Sequence, residues 1–246
     1  MKFLTYPNYN NLVNINLFSL EIDFLTIILF DKMALKVNEI FFSIQGESLY
    51  AGRPCIFVRL SGCNLRCSYC DTRYAYKEYK KMEAAEIMEQ ISSFKCLLVE
   101  ITGGEPLLQK ETPFLIQMLV EKGYEVLLET NGSLDISMVN DRCIKIVDMK
   151  CPTSRESGRN ILENLKRLSI KDQVKFVIGN RKDYEYAVEI KNLINDGFPA
   201  GNILFSPIFG KIKPSILAKW ILEDELNVRL HLQQHKIIWP DKERGV

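Results

Sequence analysis

The stretch "SGCNLRCSYCDT" (61–72) sets three thiols, Cys63, Cys67 and Cys70, in a C-x3-C-x2-C pattern. That spacing is too tight for a disulfide network and suits one metal centre. A closed structural zinc site takes four protein ligands. A cubane [4Fe–4S] cluster held by only three thiolates keeps one iron open. The residues themselves leave three readings: a cluster, a zinc site with a distant fourth ligand, or ordinary core cysteines. Cys55, Cys96, Cys143 and Cys151 are dispersed, and the first three open apolar runs, so they read as buried structural thiols. Seven cysteines is an odd count for a secreted disulfide framework, and reduced thiols in a cytoplasm fit better.

Other polar residues stand out against apolar surroundings. Arg59 is alone among Ile56, Phe57, Val58 and Leu60. A buried guanidinium needs an anion, and its fork suits a carboxylate, from a ligand or from an internal partner such as Glu47. Gln45 and Glu47 share a face if their segment is extended; otherwise Gly46 is a turn between solvated neighbours. Thr72 offers a hard oxygen suited to magnesium, or with Asp71 a helix N-cap. His231, Gln233 and His235 share a polar face if a strand persists through 227–233; a helical zinc pair of the two histidines is the rival. Asp148 and Lys150 read most simply as a structural ion pair. In "TGGEP" (102–106) Gly103 and Gly104 let backbone come close to a ligand, or make a turn.

These residues must be positioned by a framework, and the apolar pattern indicates which. Strands are expected at 55–60, 96–102, 124–130, 143–149, 173–179, 202–208 and 227–233, several nearly continuous in Val, Ile and Leu as in sheets buried on both faces. Helices are expected near 81–93, 111–122, 135–141, 160–168, 182–195 and 214–225. This alternation gives an α/β fold, a partial, open parallel β/α barrel of about six βα units, with the chemistry on loops at the carboxyl ends of the strands. The cysteine loop, "TGGEP", "ETNG" (129–132), "DMKCP" (148–152) and "SPIFGK" (206–211) all fall at such ends. With 32 basic against 31 acidic residues there is no global field to draw in nucleic acid or an anionic membrane. Residues 1–32 read as a separate extension, poorly ordered or non-native, or else as a membrane-surface or partner-binding segment. Their apolar run 17–30 is too short to span a bilayer. The catalytic domain is expected over 33–246.

"GCNLRCSYCDT" resembles the cluster loop of the radical S-adenosylmethionine (SAM) enzymes. The resemblance implies a [4Fe–4S] cluster on Cys63, Cys67 and Cys70, with SAM chelating the open iron. Tyr69 then lies beside the adenine, and "TGGEP" holds the SAM amino group through Gly103 and Gly104. Ser68, Asp71, Glu129, Asp148, Lys150 and Ser206 complete the implied SAM site. "FFSIQGES" (41–48), "FVRLSGCN" (57–64), "SPIFGKIKP" (206–214) and "QQHKIIWP" (233–240) further resemble the 7-carboxy-7-deazaguanine synthases, from about Lys36 onward. That resemblance implies a pterin substrate held by Ile44, Gln45, Gly46, Glu47, Arg59, Thr102, Gln233, His235 and Val246, with Mg2+ on Thr72. It also implies an electron donor such as flavodoxin or ferredoxin, and a homodimer. The implied reaction is hydrogen abstraction from C6 of 6-carboxy-5,6,7,8-tetrahydropterin, ring contraction and loss of ammonia, with SAM regenerated. His231 stands where glutamine is expected and has no implied role. "DMKCP" also departs from the serine, proline and lysine of relatives. The rivals are an activase of a glycyl-radical enzyme, which shares the short cluster loop, and a zinc-stabilised binding module.

Overall fold

The computed structural model describes residues 33–246, so the expectations for 1–32 lie outside the described residues. The strands are β1 (Ala34–Ile44), β2 (Pro54–Leu60), β3 (Lys80–Glu83), β4 (Leu98–Gly103), β5 (Glu125–Thr130), β6 (Ile144–Met149), β7 (Gln173–Ile178), β8 (Ile203–Pro207) and β9 (Arg229–Leu230). They form one sheet in the order β3-β1-β2-β4-β5-β6-β7-β8-β9. From β2 across to β9 every neighbouring pair is parallel. Two antiparallel strands, β1 on β2 and β3 on β1, extend the leading edge. The fold is the expected open parallel β/α barrel, enlarged by that edge. The expected strands include neither β1 nor β3.

The connecting helices are α1 (Ala84–Ser92), α2 (Thr112–Glu121), α3 (Glu163–Lys166), α4 (Arg181–Lys191) and α5 (Pro214–Glu223), with α6 (His235–Ile238) after β9. Their starts follow local chemistry. Glu83 and Glu86 form a capping box on α1, the Asn180 side chain accepts from the Asp183 amide at α4, and proline opens α2 and α5.

Three expectations fail locally. No helix forms over 135–141, where Asp135 accepts from the Ser137 amide (2.8 Å) and Asn140 from the Arg142 amide (2.7 Å). Side chains that bond their own backbone in this way compete with a helix. The helix expected at 160–168 shrinks to α3, because the buried Asn164 amide bonds Gly132 O and Leu134 O instead. The strand expected at 227–233 shrinks to β9, so His231, Gln233 and His235 do not share a strand face, and His235 opens α6.

The pleat sorts the side chains of each strand. Outward residues such as Val58, Ile101, Leu128, Val147, Phe176 and Phe205 pack beneath the helices in two apolar clusters. Inward residues fill the lumen in layers. Cys55, Phe57, Leu98, Leu127, Ile144 and Ile146 make a dry floor, with Phe41 stacked on Phe57 at 4.8 Å. Further along the same faces come Glu100, Arg59, Thr102, Glu129, Asp148, Lys175 and Ser206, which line a cavity of about 450 Å³. The dispersed cysteines are packed as expected, except that Cys96 is only partly buried.

Candidate active site

The cysteine loop leaves β2 and is pinned to its neighbours. Gly104 N donates to Leu60 O (3.1 Å) and Glu105 N to Gly62 O (2.8 Å). A Cβ on Gly103 would lie 2.1 Å from Leu60 O, and one on Gly104 2.1 Å from Gly62 O. Gly103 also has φ 147°, a conformation open to glycine. The glycine pair is therefore required for docking one loop on the other, in addition to any ligand. Glu105, fully buried, accepts from Thr130 Oγ1 (2.8 Å), Asn131 N (2.7 Å) and Leu107 N (3.0 Å), tying "TGGEP" to "ETNG". Asn131 Nδ2 in turn reaches Asn64 (3.2 Å) and lies 3.8 Å from Cys63 Sγ.

Cys63, Cys67 and Cys70 are half-buried and line the same cavity. Three thiolates on one loop suit a [4Fe–4S] cluster that keeps one iron open. Burial pushes the Cys67 thiol up to about 11, and coordination to a metal centre would deprotonate it. Two buried polar atoms beside the loop have no partner: Tyr69 Oη and Asp148 Oδ1. An orphaned buried oxygen is costly unless something fills the space next to it. The thiol-lined cavity and these oxygens fit a cluster with a polar cosubstrate on its open side.

Every other residue the sequence marks for the site lines this cavity: Ile44, Gln45, Gly46, Glu47, Arg59, Asp71, Thr72, Thr102, Gly103, Gly104, Glu129, Asp148, Lys150, Ser206, Gln233, His235 and Val246. Ser68 alone does not, since its exposed hydroxyl donates to Thr153 O (2.6 Å) and braces the cysteine loop from outside. Gly46 is forced by packing: a Cβ there would meet His235 Nδ1 at 2.3 Å. Gln234 N donates to Gly46 O (2.8 Å), so "QGE" and "QQH" dock as one wall.

Sequence reasoning missed two buried charges at that wall, Lys175 and Glu100. Lys175 Nζ lies 2.8 Å from Glu47 Oε2, bonds Glu129 Oε1, and is 3.7 Å from Asp148 Oδ2. Lys150 Nζ pairs with Asp148 Oδ2 at 2.8 Å, as expected of a structural pair. Gln45 is absorbed by the protein: its amide nitrogen donates to Glu100, and its oxygen accepts from Glu47 N (2.8 Å). Gln233 Nε2 donates to Glu47 Oε1 (2.8 Å).

The charges settle accordingly. Burial alone would raise Glu47, but Lys175, His231, His235 and the Gln233 bond hold it well below the usual carboxylate range. Glu129 shares Lys175 and ends up raised, because burial and the Glu47 and Asp148 charges outweigh the lysine. Glu100 is raised well above the ordinary value by burial and by the Glu129 and Glu47 charges. Burial would lower Lys175, yet Glu129, Glu47 and Asp148 keep it firmly protonated.

Arg59 does not meet Glu47. Its Nε donates to Glu39 Oε1 (2.8 Å), the residue opposite it on β1, which also accepts from Tyr74 Oη (3.0 Å). The guanidinium stacks over Phe41 at 5.6 Å and keeps its outer nitrogens for the cavity it lines. Thr72 is the N-cap of the turn 73–76, but its hydroxyl makes no capping bond and donates only to Asp71 Oδ1 (3.1 Å). Asp71 is engaged by Lys236 from α6. Arg244 forks onto Glu78 (2.8 and 3.0 Å) and lies 4.0 Å over Tyr74, which fastens the tail that brings Val246 to the cavity.

Comparison with known proteins agrees with this geometry. Residues 57–204 match the model of the Radical SAM superfamily. The 7-carboxy-7-deazaguanine synthase of Koribacter versatilis (strain Ellin345) is 45% identical over 86% of this chain and 100% of its own length. The protein of the same name from Chlorobaculum tepidum is 43% identical over 86% of this chain and 97% of its own. The crystal structure of QueE from Escherichia coli shares the fold at TM-score 0.72, with 22% identity over 85% of this chain and 98% of that one. Membership of the radical SAM superfamily carries a [4Fe–4S] cluster and SAM with it, and no helix among the described residues is long and apolar enough to cross a membrane. The chain belongs to the 7-carboxy-7-deazaguanine synthase family of radical SAM enzymes.

Proposed function

We propose that the chain converts 6-carboxy-5,6,7,8-tetrahydropterin to 7-carboxy-7-deazaguanine with loss of ammonia. One observation carries the reading: a single cavity is lined both by the three-cysteine loop and by Arg59, Glu47, Gln233 and His235. Cys63, Cys67 and Cys70 would hold the cluster, which together with SAM would supply the one-electron chemistry that starts hydrogen abstraction. The protein binds, orients and shields.

Glu129, Asp148, Lys150 and Ser206, with Tyr69 and the Gly103–Gly104 backbone, form the cosubstrate half. There Glu47, Glu129 and Asp148 face the ammonium groups of Lys150 and Lys175, a lining that offers acceptors to the ammonium group of SAM and donors to its carboxylate. In the substrate half the free nitrogens of Arg59 take the pterin carboxylate. Glu47 stays ionised to accept from the amino-pyrimidine edge, held in place by Lys175 and Gln233. Gln45 shapes the pocket through backbone and packing, since its side chain is already used. Ile44, Thr102, His235 and Val246 close the walls. Mg2+ on the Thr72 hydroxyl is part of the proposal; Thr72 lines the cavity and its hydroxyl makes no capping bond. So are the domain limits 33–246, a flavodoxin- or ferredoxin-like donor, and a homodimer, for which exposed Ile237 and Ile238 on α6 offer apolar surface.

The test is anaerobic turnover of reconstituted protein with dithionite, SAM and the pterin, read by mass spectrometry. Product lighter by one ammonia, with SAM not consumed, is the expected result. SAM cleavage without that product moves the substrate elsewhere and raises the activase reading.

A further inference from the structure

The two halves of the site are joined by one side chain that neither the motifs nor the expected ligand sets include. Lys175 sits on the inward face of β7, 5% exposed, opposite Asp148 in the sheet register. Its ammonium group bonds Glu47 from the segment after β1 and Glu129 from the end of β5, and it faces Asp148 on β6 at 3.7 Å. Glu47 in turn holds Gln233. We infer that Lys175 is a positioning residue that couples substrate and SAM binding by holding Glu47 and Glu129 in one geometry. This rests on the function proposed above.

The physical argument is one of shared donors. An ammonium has three N–H groups and no acceptor, and here two of them are committed across the boundary between the halves. Without the cation, Glu47, Glu129 and Asp148 repel one another in a water-poor lumen. At least one must then take up a proton or swing away. A ligand that fixes Glu129 thereby fixes Lys175 and, through it, Glu47. By reciprocity a ligand on Glu47 prepares Glu129 equally. The lysine is not asked to touch a reacting atom. Its role is to make the two binding events depend on each other.

The test uses reconstituted holoenzyme kept oxidised, so that nothing turns over. SAM is titrated by calorimetry with and without saturating 6-carboxytetrahydropterin. In the unaltered enzyme the pterin is expected to tighten SAM by about five-fold or more, the lower end of ordinary coupling. Lys175→Met is expected to keep its iron content and visible spectrum while the affinity ratio falls to about one, and Lys175→Arg to recover part of the ratio. Glu47→Gln removes one arm of the same bridge with less disruption, and its ratio is expected to fall too; it decides the matter if Lys175→Met does not fold. A ratio unchanged in these variants, or absent from the unaltered enzyme, overturns the coupling alone. Failure of the unaltered enzyme to bind the pterin at all overturns the proposed function as well.

Discussion

The floor of the lumen and the layer above it are built by the same strands and do opposite work. β2 supplies Phe57 to the floor and Arg59 to the layer above. β5 supplies Leu127 and then Glu129, and β6 supplies Ile146 and then Asp148. Two residues along a strand is a rise of roughly 7 Å on the same face. Within that distance the lumen passes from dry packing, which stabilises, to a crowd of buried charges. Replacing a whole buried ion pair by apolar groups of similar volume is often neutral or favourable to stability, whereas removing one partner is costly. Stability is concentrated below and specificity above, on one shared scaffold.

The largest effects should separate the two layers cleanly. Cys67→Ala is expected to abolish cluster iron and turnover while the thermal midpoint of the metal-free chain stays within a few degrees. A collapse of the metal-free fold would mean that the loop is part of the core. Leu127→Ala, at a fully buried floor position, is expected to cost about 2–5 kcal/mol of stability and to leave the KM for both ligands unchanged. Denaturant melts and steady-state kinetics read the two quantities separately. A tenfold rise in either KM would show that the floor shapes the site directly.

Smaller, and on the opposite side of the comparison, is Arg59→Met. Removing a charged hydrogen bond of about 1.5–3 kcal/mol should raise KM for the pterin by about 10- to 150-fold. Glu39 then loses its cation and keeps only Tyr74, so the melting temperature is expected to fall by a few degrees as well. An unchanged KM with a lower melting temperature would assign Arg59 to the Glu39–Tyr74 pair alone.

Much of this arrangement is legible in the sequence, and the missing parts have a common cause. The parallel strands, the cysteine loop and the loops at the carboxyl ends are visible because each carries a local pattern: a β-branched run, a thiol spacing, a glycine pair. Arg59 is visible as a lone cation in an apolar run. The same reasoning applies to Glu100 in "CLLVEIT" and Lys175 in "QVKFVIG", so the signal for both was present. What no local pattern carries is their partnership, because Lys175 lies 128 residues from Glu47 and Gln45 lies 55 from Glu100. The Glu39 partner of Arg59 was hidden for a related reason, since it follows from the pairing of β1 with β2. The loss of the 135–141 helix shows the limit of periodicity, because Asp135 and Asn140 spend their side chains on turns.

His231 gives the subtlest test, because it belongs to neither layer cleanly. It is 5% exposed, and neither imidazole nitrogen has a partner. Burial lowers it to about 4, with Lys175, Arg229 and His235 adding to that against the pull of Glu47. In the unfolded chain it would take up its proton near pH 6.5. Between pH 6.5 and about 4 the unfolded state therefore binds more protons, and stability falls as pH falls. The expected loss across that window is on the order of 1–3 kcal/mol. Glu47, held low, also favours the fold at higher pH, but its contribution is lost only below the ordinary carboxylate value of 4.5, so the two windows separate. His235 is lowered too, again by burial first. His231→Gln should consequently flatten the slope between pH 6.5 and 4.5 without removing it, and should leave the steeper fall below 4.5 in place. Urea melts across that range measure both. A slope unchanged by the substitution would place the proton uptake at His235 and leave His231 as packing alone.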